Sequence, residues 1–299
     1  MARLSVGVVL SSPATVAAAE VADFARRVEE AGLDAVFVGD HLTPARPLLD
    51  STVTLATVAA VTRRIRVGFG VMVVALRHPA WVAREVAALQ LLSAGRVILG
   101  VGTGGDVHGM AAWRAVGVDP HRRGVETDAR LALLPDLISG RPTAIGPDAV
   151  LTLAPGAEVP PIWVGGGSAV AMRRSVANGA TWFPSMLLPA DLAAGVEALG
   201  ATAAGLGRMT PPVAVGGAAL LGGHDHAADL ERFTSALIDG YGIPPDRAGA
   251  LPITGGAEQA AERMHAYAEA GASWLVLSLI GPDWRRQSEL LARARQLLE

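Results

Sequence analysis

The sequence predicts an α/β chain closed into a (β/α)8 barrel, and three observations carry that expectation. The chain has 299 residues, long for an ordinary domain but normal for such a barrel. Apolar runs of strand length alternate with stretches of helical period from end to end. The strand runs are continuously apolar, as strands are when both faces are covered. Repeated βα units also suit an open doubly wound sheet, but eight units favour the closed ring.

The first strand is read at 4–10 and the second at 35–38, both rich in β-branched residues. Between them Val21, Phe24 and Val28 share one helix face through their i, i+3, i+7 spacing. The third strand is read at 66–74, and Pro79 opens the helix behind it, where a missing N–H is no loss. The fourth, 97–101, runs into Gly102-Thr103-Gly104-Gly105. A helix near 126–138 leads into a Pro/Gly-rich stretch, 140–161, read as a surface excursion from one domain spanning 1–299. The remaining strands are read at 162–164, 181–183, 213–221 and 274–280. An extra helix is expected near 227–239, and the closing helix at 284–298.

Composition narrows the function. With 51% hydrophobic and 18% charged residues, the chain can bury a large core and does not read as disordered. No apolar run approaches the roughly 18 residues of a membrane span, and no basic-then-apolar leader is seen at the start. Cysteine is absent, which excludes disulfides, thiolate catalysis and cysteine-ligated metals. A cytoplasmic protein is expected. The net charge of −3 and the lack of a basic cluster argue against a nucleic-acid partner. No metal site is expected, because His224-Asp225-His226 has no further clustered ligand and reads as a solvated loop.

In such a barrel the site lies at the C-terminal strand ends. Strand two ends in Gly39-Asp40-His41, strand three contains Gly68-Phe69-Gly70-Val71, and strand four ends in Gly102-Thr103-Gly104. These glycines are expected to leave room for a large planar ligand. Gly165-Gly166-Gly167-Ser168 feeds a helix start, where free N–H groups and the dipole suit a phosphate, although a plain strand-to-helix turn reads the same way. His41 is the candidate proton relay, oriented by Asp40; the alternative is that Asp40 caps the next segment and His41 is a structural donor. His108, Trp113, Trp182 and Met186 are candidate walls of a substrate pocket, and the indoles equally suit an ordinary core. His78, just before Pro79, reads as a satisfied structural histidine.

Several runs together resemble one family. Residues 29–41, EEAGLDAVFVGDH, look like the second-strand signature of bacterial luciferase-like flavin and deazaflavin oxidoreductases. Arg64-Ile65-Arg66-Val67-Gly68 with Leu76-Arg77-His78-Pro79, residues 92–102 and residues 160–166 resemble the third, fourth and fifth units. The likeness covers the first two-thirds of the chain in order.

The resemblance implies a barrel holding coenzyme F420 or reduced FMN, with the ring over the strand ends and the phosphate on Gly165–Ser168. In the deazaflavin branch a non-prolyl cis peptide in strand three buttresses the ring, and the matching bond is Gly70–Val71. The endings at Asp40-His41, at Gly102-Thr103-Gly104 and at the fifth-strand glycines look closer to the deazaflavin members. The expected activity is hydride transfer between F420 and a small, fairly apolar organic substrate. The alternatives are an FMN-dependent monooxygenase and a catalytically silent flavin-binding protein. The sugar-phosphate dehydrogenases of the branch carry a glutamate acid where this chain has Gly105, and a phosphate-binding lysine where this chain has no lysine at all. Glucose 6-phosphate is therefore not expected as substrate. The resemblance also implies a homodimer paired through the helices after strands two and three; residues 51–61 carry no charge, which suits it.

Overall fold

A computed structural model describes residues 3–10, 16–43, 47–105, 110–222 and 227–298. All eight expected strands form: β1 (Ser5–Leu10), β2 (Ala35–Val38), β3 (Arg66–Met72), β4 (Val97–Val101), β7 (Ile162–Gly165), β8 (Thr181–Phe183), β9 (Ala214–Leu221) and β11 (Trp274–Leu279). Among the described residues they join β10 (Ile253–Gly255) in one nine-stranded parallel sheet, ordered β10-β9-β11-β1-β2-β3-β4-β7-β8. The sheet curls until β8 meets β9 through parallel bridges at Trp182–Val213 and Ser185–Gly216. Eight strands thus surround an interior, and β10 extends the upper half of β9.

Helices cover the outside. α1 (Val21–Glu30) buries Val21, Phe24, Ala25 and Val28, the face its spacing gives. α2 (Ser51–Val61) starts on the Asp50 carboxylate, which accepts from the Val53 N–H, and α3 (Pro79–Leu92) starts on His78, whose Nδ1 accepts from the Ala80 N–H. His78 is thus a structural cap. After β4 come α4 (Ala111–Ala115) and α5 (Arg123–Ser139). The 140–161 excursion holds a small antiparallel pair, β5 (Thr143–Gly146) and β6 (Ala149–Leu151), outside the barrel. α6 (Ala169–Asn178), α7 (Pro189–Gly205), α8 (Ala227–Tyr241), α9 (Pro245–Ala250), α10 (Ala257–Glu269) and α11 (Trp284–Gln296) complete the chain. Among the described residues no helix is long and apolar enough to cross a membrane.

The strands sort their side chains by parity. In β2, Val36 and Val38 join the core under the helices, whereas Ala35 and Phe37 face the barrel interior with Ile98, Trp163, Phe183, Ala214 and Val276. That interior is an aromatic plug. Ring centroids lie 5.3 Å apart for Phe37–Trp163, 5.1 Å for Trp163–Phe183 and 5.5 Å for Trp163–Trp274, the range in which tilted and edge-on pairs attract. Two strand glycines make room for it. A Cβ on Gly7 would stand 2.8 Å from the Phe37 ring, and one on Gly68 would overlap it.

Candidate active site

The C-terminal strand ends meet at a polar knot centred on Asp40, which is buried. Its Oδ2 accepts from Arg77 Nη1 at 2.5 Å and from the Val73 N–H at 3.0 Å. Its Oδ1 accepts from Arg77 Nη2 at 2.7 Å and from the Ser51 hydroxyl at 3.1 Å. Burial pulls the Arg77 guanidinium down, but hydrogen bonding and charge from Asp40 more than offset it, so it sits above its ordinary value. Asp40 therefore ties the end of β2 to the chain after β3 and to the start of α2. The expectation that it orients His41 is corrected: both carboxylate oxygens are taken by these four donors. Arg77 also lends its carbonyl to Arg130 Nε at 3.0 Å, which brings α5 into the same network.

His41 is exposed and folds back over its own strand end. Its Nε2 lies 3.9 Å from the point a Gly39 Cβ would occupy, and the Gly70 carbonyl oxygen lies 4.0 Å from the same point. A pocket opens here, walled by His41, Leu42, Thr43, Leu76 and Trp113, with Gly104 and Gly105 on one side. Trp113 thus stands on the wall of the same pocket as His41. Gly104 takes φ of +66°, and a Cβ on it would stand 2.8 Å from the Trp113 indole. Thr103 Oγ1 donates to the Gly104 carbonyl at 3.4 Å.

The Gly70–Val71 bond is cis, and the β3–β4 register shifts between Phe69 and Met72. The Val71 side chain that emerges lies across the neighbouring strands. A Cβ on Gly100 or Gly165 would stand 3.1 Å from Val71 Cγ1, and one on Gly102 would overlap Cγ2. Gly102 and Gly165 thus make room first for Val71, Gly100 for the Phe69 carbonyl, and Gly68 for Phe37, rather than directly for a ligand. Bare backbone is found one step further out: a Cβ on Gly105 or Gly167 would meet nothing within 4 Å.

The turn after β7 is held firmly. Gly166 has φ of +118°, and its carbonyl accepts from the Trp182 indole N–H at 2.8 Å. Ser168 caps α6 by accepting from the Ala171 N–H at 3.2 Å. Trp182 is corrected as a pocket wall: it is wholly buried in the core under the helices, beside Gly195 of α7. Parity explains this, since Phe183, its neighbour, is the residue of β8 that faces inward. Met186 packs with Leu230 and Phe233 against Ala218, Leu220 and Ile280, beneath α8. His108 lies outside the described residues, as do His224, Asp225 and His226. Among the described residues no cluster of histidines and carboxylates suits a metal ion.

The family model described as luciferase-like monooxygenase matches residues 4–273. The chain belongs to the luciferase-like family. This luciferase-like family member is 32% identical over 233 residues to an F420-dependent hydroxymycolic acid dehydrogenase of Mycobacterium tuberculosis, covering 72% of this chain and 63% of that one. It is 43% identical over 90 residues to an F420-dependent glucose-6-phosphate dehydrogenase of Kineococcus radiotolerans, a match that spans 28% of this chain and 27% of that one. Among solved structures, an F420-dependent secondary alcohol dehydrogenase in complex with an F420-acetone adduct superposes with a TM-score of 0.86 at 16% identity, covering 99% of both chains. At that identity the likeness speaks for the fold.

Proposed function

We propose that the protein is a coenzyme F420-dependent oxidoreductase acting on a small, largely apolar organic substrate. The observation that carries the reading is the placing of His41 Nε2 and the Gly70 carbonyl about one spot at the strand mouth, beside a pocket walled by Leu42, Leu76 and Trp113. The F420 dependence named for the relatives in Mycobacterium and Kineococcus supports it. The residues present fit the coenzyme. Gly105 and Gly167 offer uncovered backbone, and Gly166 to Ser168 with the start of α6 would hold the phosphate. When bound, the deazaflavin supplies a hydride donor or acceptor at one ring carbon.

The chain's own residues then have three tasks. Leu42, Leu76 and Trp113 keep water from the substrate body. His41 gives or takes the proton at the substrate oxygen, a task suited to an imidazole near neutral pH. Arg77 and Asp40 fix the strand ends on which His41 stands. Glucose 6-phosphate remains unexpected, because the chain has no lysine and has Gly105 at the acid position. The monooxygenase name of the matching family model favours reduced FMN as the second reading.

Parallel fluorescence titrations with F420 and FMN test the proposal. Tighter F420 binding, with turnover of F420 on a panel of small alcohols and ketones, is expected. Tight FMN binding with no F420 binding would replace it by the monooxygenase reading.

A further inference from the structure

We propose that Trp113 sets the shape of the substrate, by closing a slot that accepts only a short arm of it, no longer than an ethyl group. This deepens the F420-oxidoreductase reading above and rests on it. The slot lies in the pocket beside His41, among Val73, Ala112, Trp113, Gly104 and Gly105. Its free space is about 30 Å³, and one water needs about 10–15 Å³. Room is left for about two water-sized groups.

The indole is a fixed wall. Its own carbonyl accepts from the Val118 N–H at 3.1 Å, and the Arg114 carbonyl accepts from the Gly117 N–H at 3.2 Å. Gly117 is left-handed, with φ of +69°. These two bonds end α4 in the Schellman pattern, which brings the side chains of Val118 and Trp113 together. Both belong to one small apolar cluster with Val73, Ala75, Leu76 and Met110. The opposite edge of the ring rests on bare backbone, since a Cβ on Gly104 would stand 2.8 Å from Cζ2. Trp113 is left 2% exposed, and a ring packed this closely resists compression. The mouth of the pocket is different. Leu42 stands 55% exposed there and offers open apolar surface. The matching substrate therefore carries two unequal arms on its reacting carbon. The short arm enters beside Trp113, and the longer one lies over Leu42 towards solvent.

Isomers of one formula separate shape from hydrophobicity. The methyl and pentyl arms of 2-heptanol suit the slot, and the two propyl arms of 4-heptanol do not. In the F420-loaded enzyme kcat/KM is expected to favour 2-heptanol at least about tenfold. Trp113→Ala should bring the ratio within about 3-fold, chiefly by raising kcat/KM for 4-heptanol. Trp113→Phe keeps most of the packing and should fall between, so it serves if the alanine variant does not fold. A variant that is merely less stable loses rate on both isomers and leaves the ratio alone. A second readout needs no turnover. The indole N–H signal of Trp113 in NMR, identified by its loss in Trp113→Phe, is followed as 2-heptanone or 4-heptanone is added to the unloaded protein. Only 2-heptanone should move it. A wild-type ratio near one, a ratio unchanged in both variants, equal shifts from the two ketones or no shift from either overturns the proposal. If F420 binds and neither alcohol turns over, or if F420 does not bind, the functional reading fails and the indole signal alone decides the slot.

Discussion

Phe37 and Gly68 face each other in register across β2 and β3, and the phenyl ring occupies the space a side chain at 68 would need. The two residues form one packing unit at the floor of the barrel. Phe37→Ala is expected to lose about 3–5 kcal/mol, the usual range for emptying a wholly buried aromatic site. Gly68→Ala should be destabilising in the wild type and much less so beside Phe37→Ala, because the collision is with that ring. Denaturant titrations of the two single variants and the double variant measure the coupling; simple additivity would contradict it.

His41 and Arg77 should fail in different ways. His41→Ala is expected to lower turnover by about 10²–10⁴-fold, with little change in F420 affinity or melting temperature. Loss of affinity instead, with rate restored by saturating coenzyme, would make His41 a binding donor. Arg77→Ala leaves the buried Asp40 carboxylate without its countercharge and is expected to lose about 3–5 kcal/mol of stability. Urea unfolding beside steady-state kinetics separates the two behaviours.

The phosphate site is best probed at Gly167. Gly166 has φ of +118°, so any side chain there strains the turn as well as crowding an anion. A side chain on Gly167 points into open space. Gly167→Val should therefore weaken F420 binding at least tenfold with no more than a small change in melting temperature. Wild-type affinity in that variant would move the phosphate elsewhere.

The sequence made much of this legible, and where it failed the reasons are physical. The eight barrel strands stand out because strands covered on both faces are continuously apolar. That same property hides which residues point inward, so in the sequence Phe37 reads as one more apolar residue and Trp182 equally as a pocket wall or as core. The glycines at 7 and 68 were the available signal, since glycine inside a strand often marks close approach by a neighbour. β10 and the β5–β6 pair are three or four residues each, too short to show a period. Arg77 was visible beside His78-Pro79, but its partner Asp40 lies 37 residues away, and only the fold joins them.

Acid should destabilise the fold partly through Glu29. Burial raises its pKa, but the N–H groups of Arg64, Arg63 and Ile65 bond the carboxylate and bring it below the ordinary value. A carboxylate depressed on folding contributes stability above its unfolded pKa and loses it as pH falls through the folded one. The melting temperature should thus hold above about pH 6 and drop below about pH 4.5. Glu29→Gln should be less stable near neutrality and show a shallower acid slope; an unchanged slope would remove Glu29 from the account.

A homodimer is expected, built on the outer surfaces of α2 and α3. These helices pack side by side, and Val53 on one and Trp81 and Leu92 on the other are well exposed for apolar residues. Sedimentation velocity at micromolar concentration should find two chains, and Val53→Glu should shift the equilibrium towards one. A wild-type monomer would refute this arrangement.

The meeting of β8 and β9 has a consequence for how the molecule breathes. Across that join the backbone bonds are Trp182 N–H to the Pro212 carbonyl, Gly216 N–H to the Pro184 carbonyl and Met186 N–H to the Gly216 carbonyl. The other joins are strand pairs, from six register pairs between β9 and β11 down to three in β4–β7 and in β7–β8, with a register break in β3–β4. Because β8 and β9 meet only through isolated bridges, this join is expected to open first, as a slit running from floor to rim, while the other staves stay bound. Amide protons at residues 182, 186 and 216 would then trade with heavy water ahead of their neighbours in β1 and β2. The slit passes Phe183 and Met186, so a passing solvent molecule could enter from the side as well as from above. In this barrel the rim need not be the sole doorway.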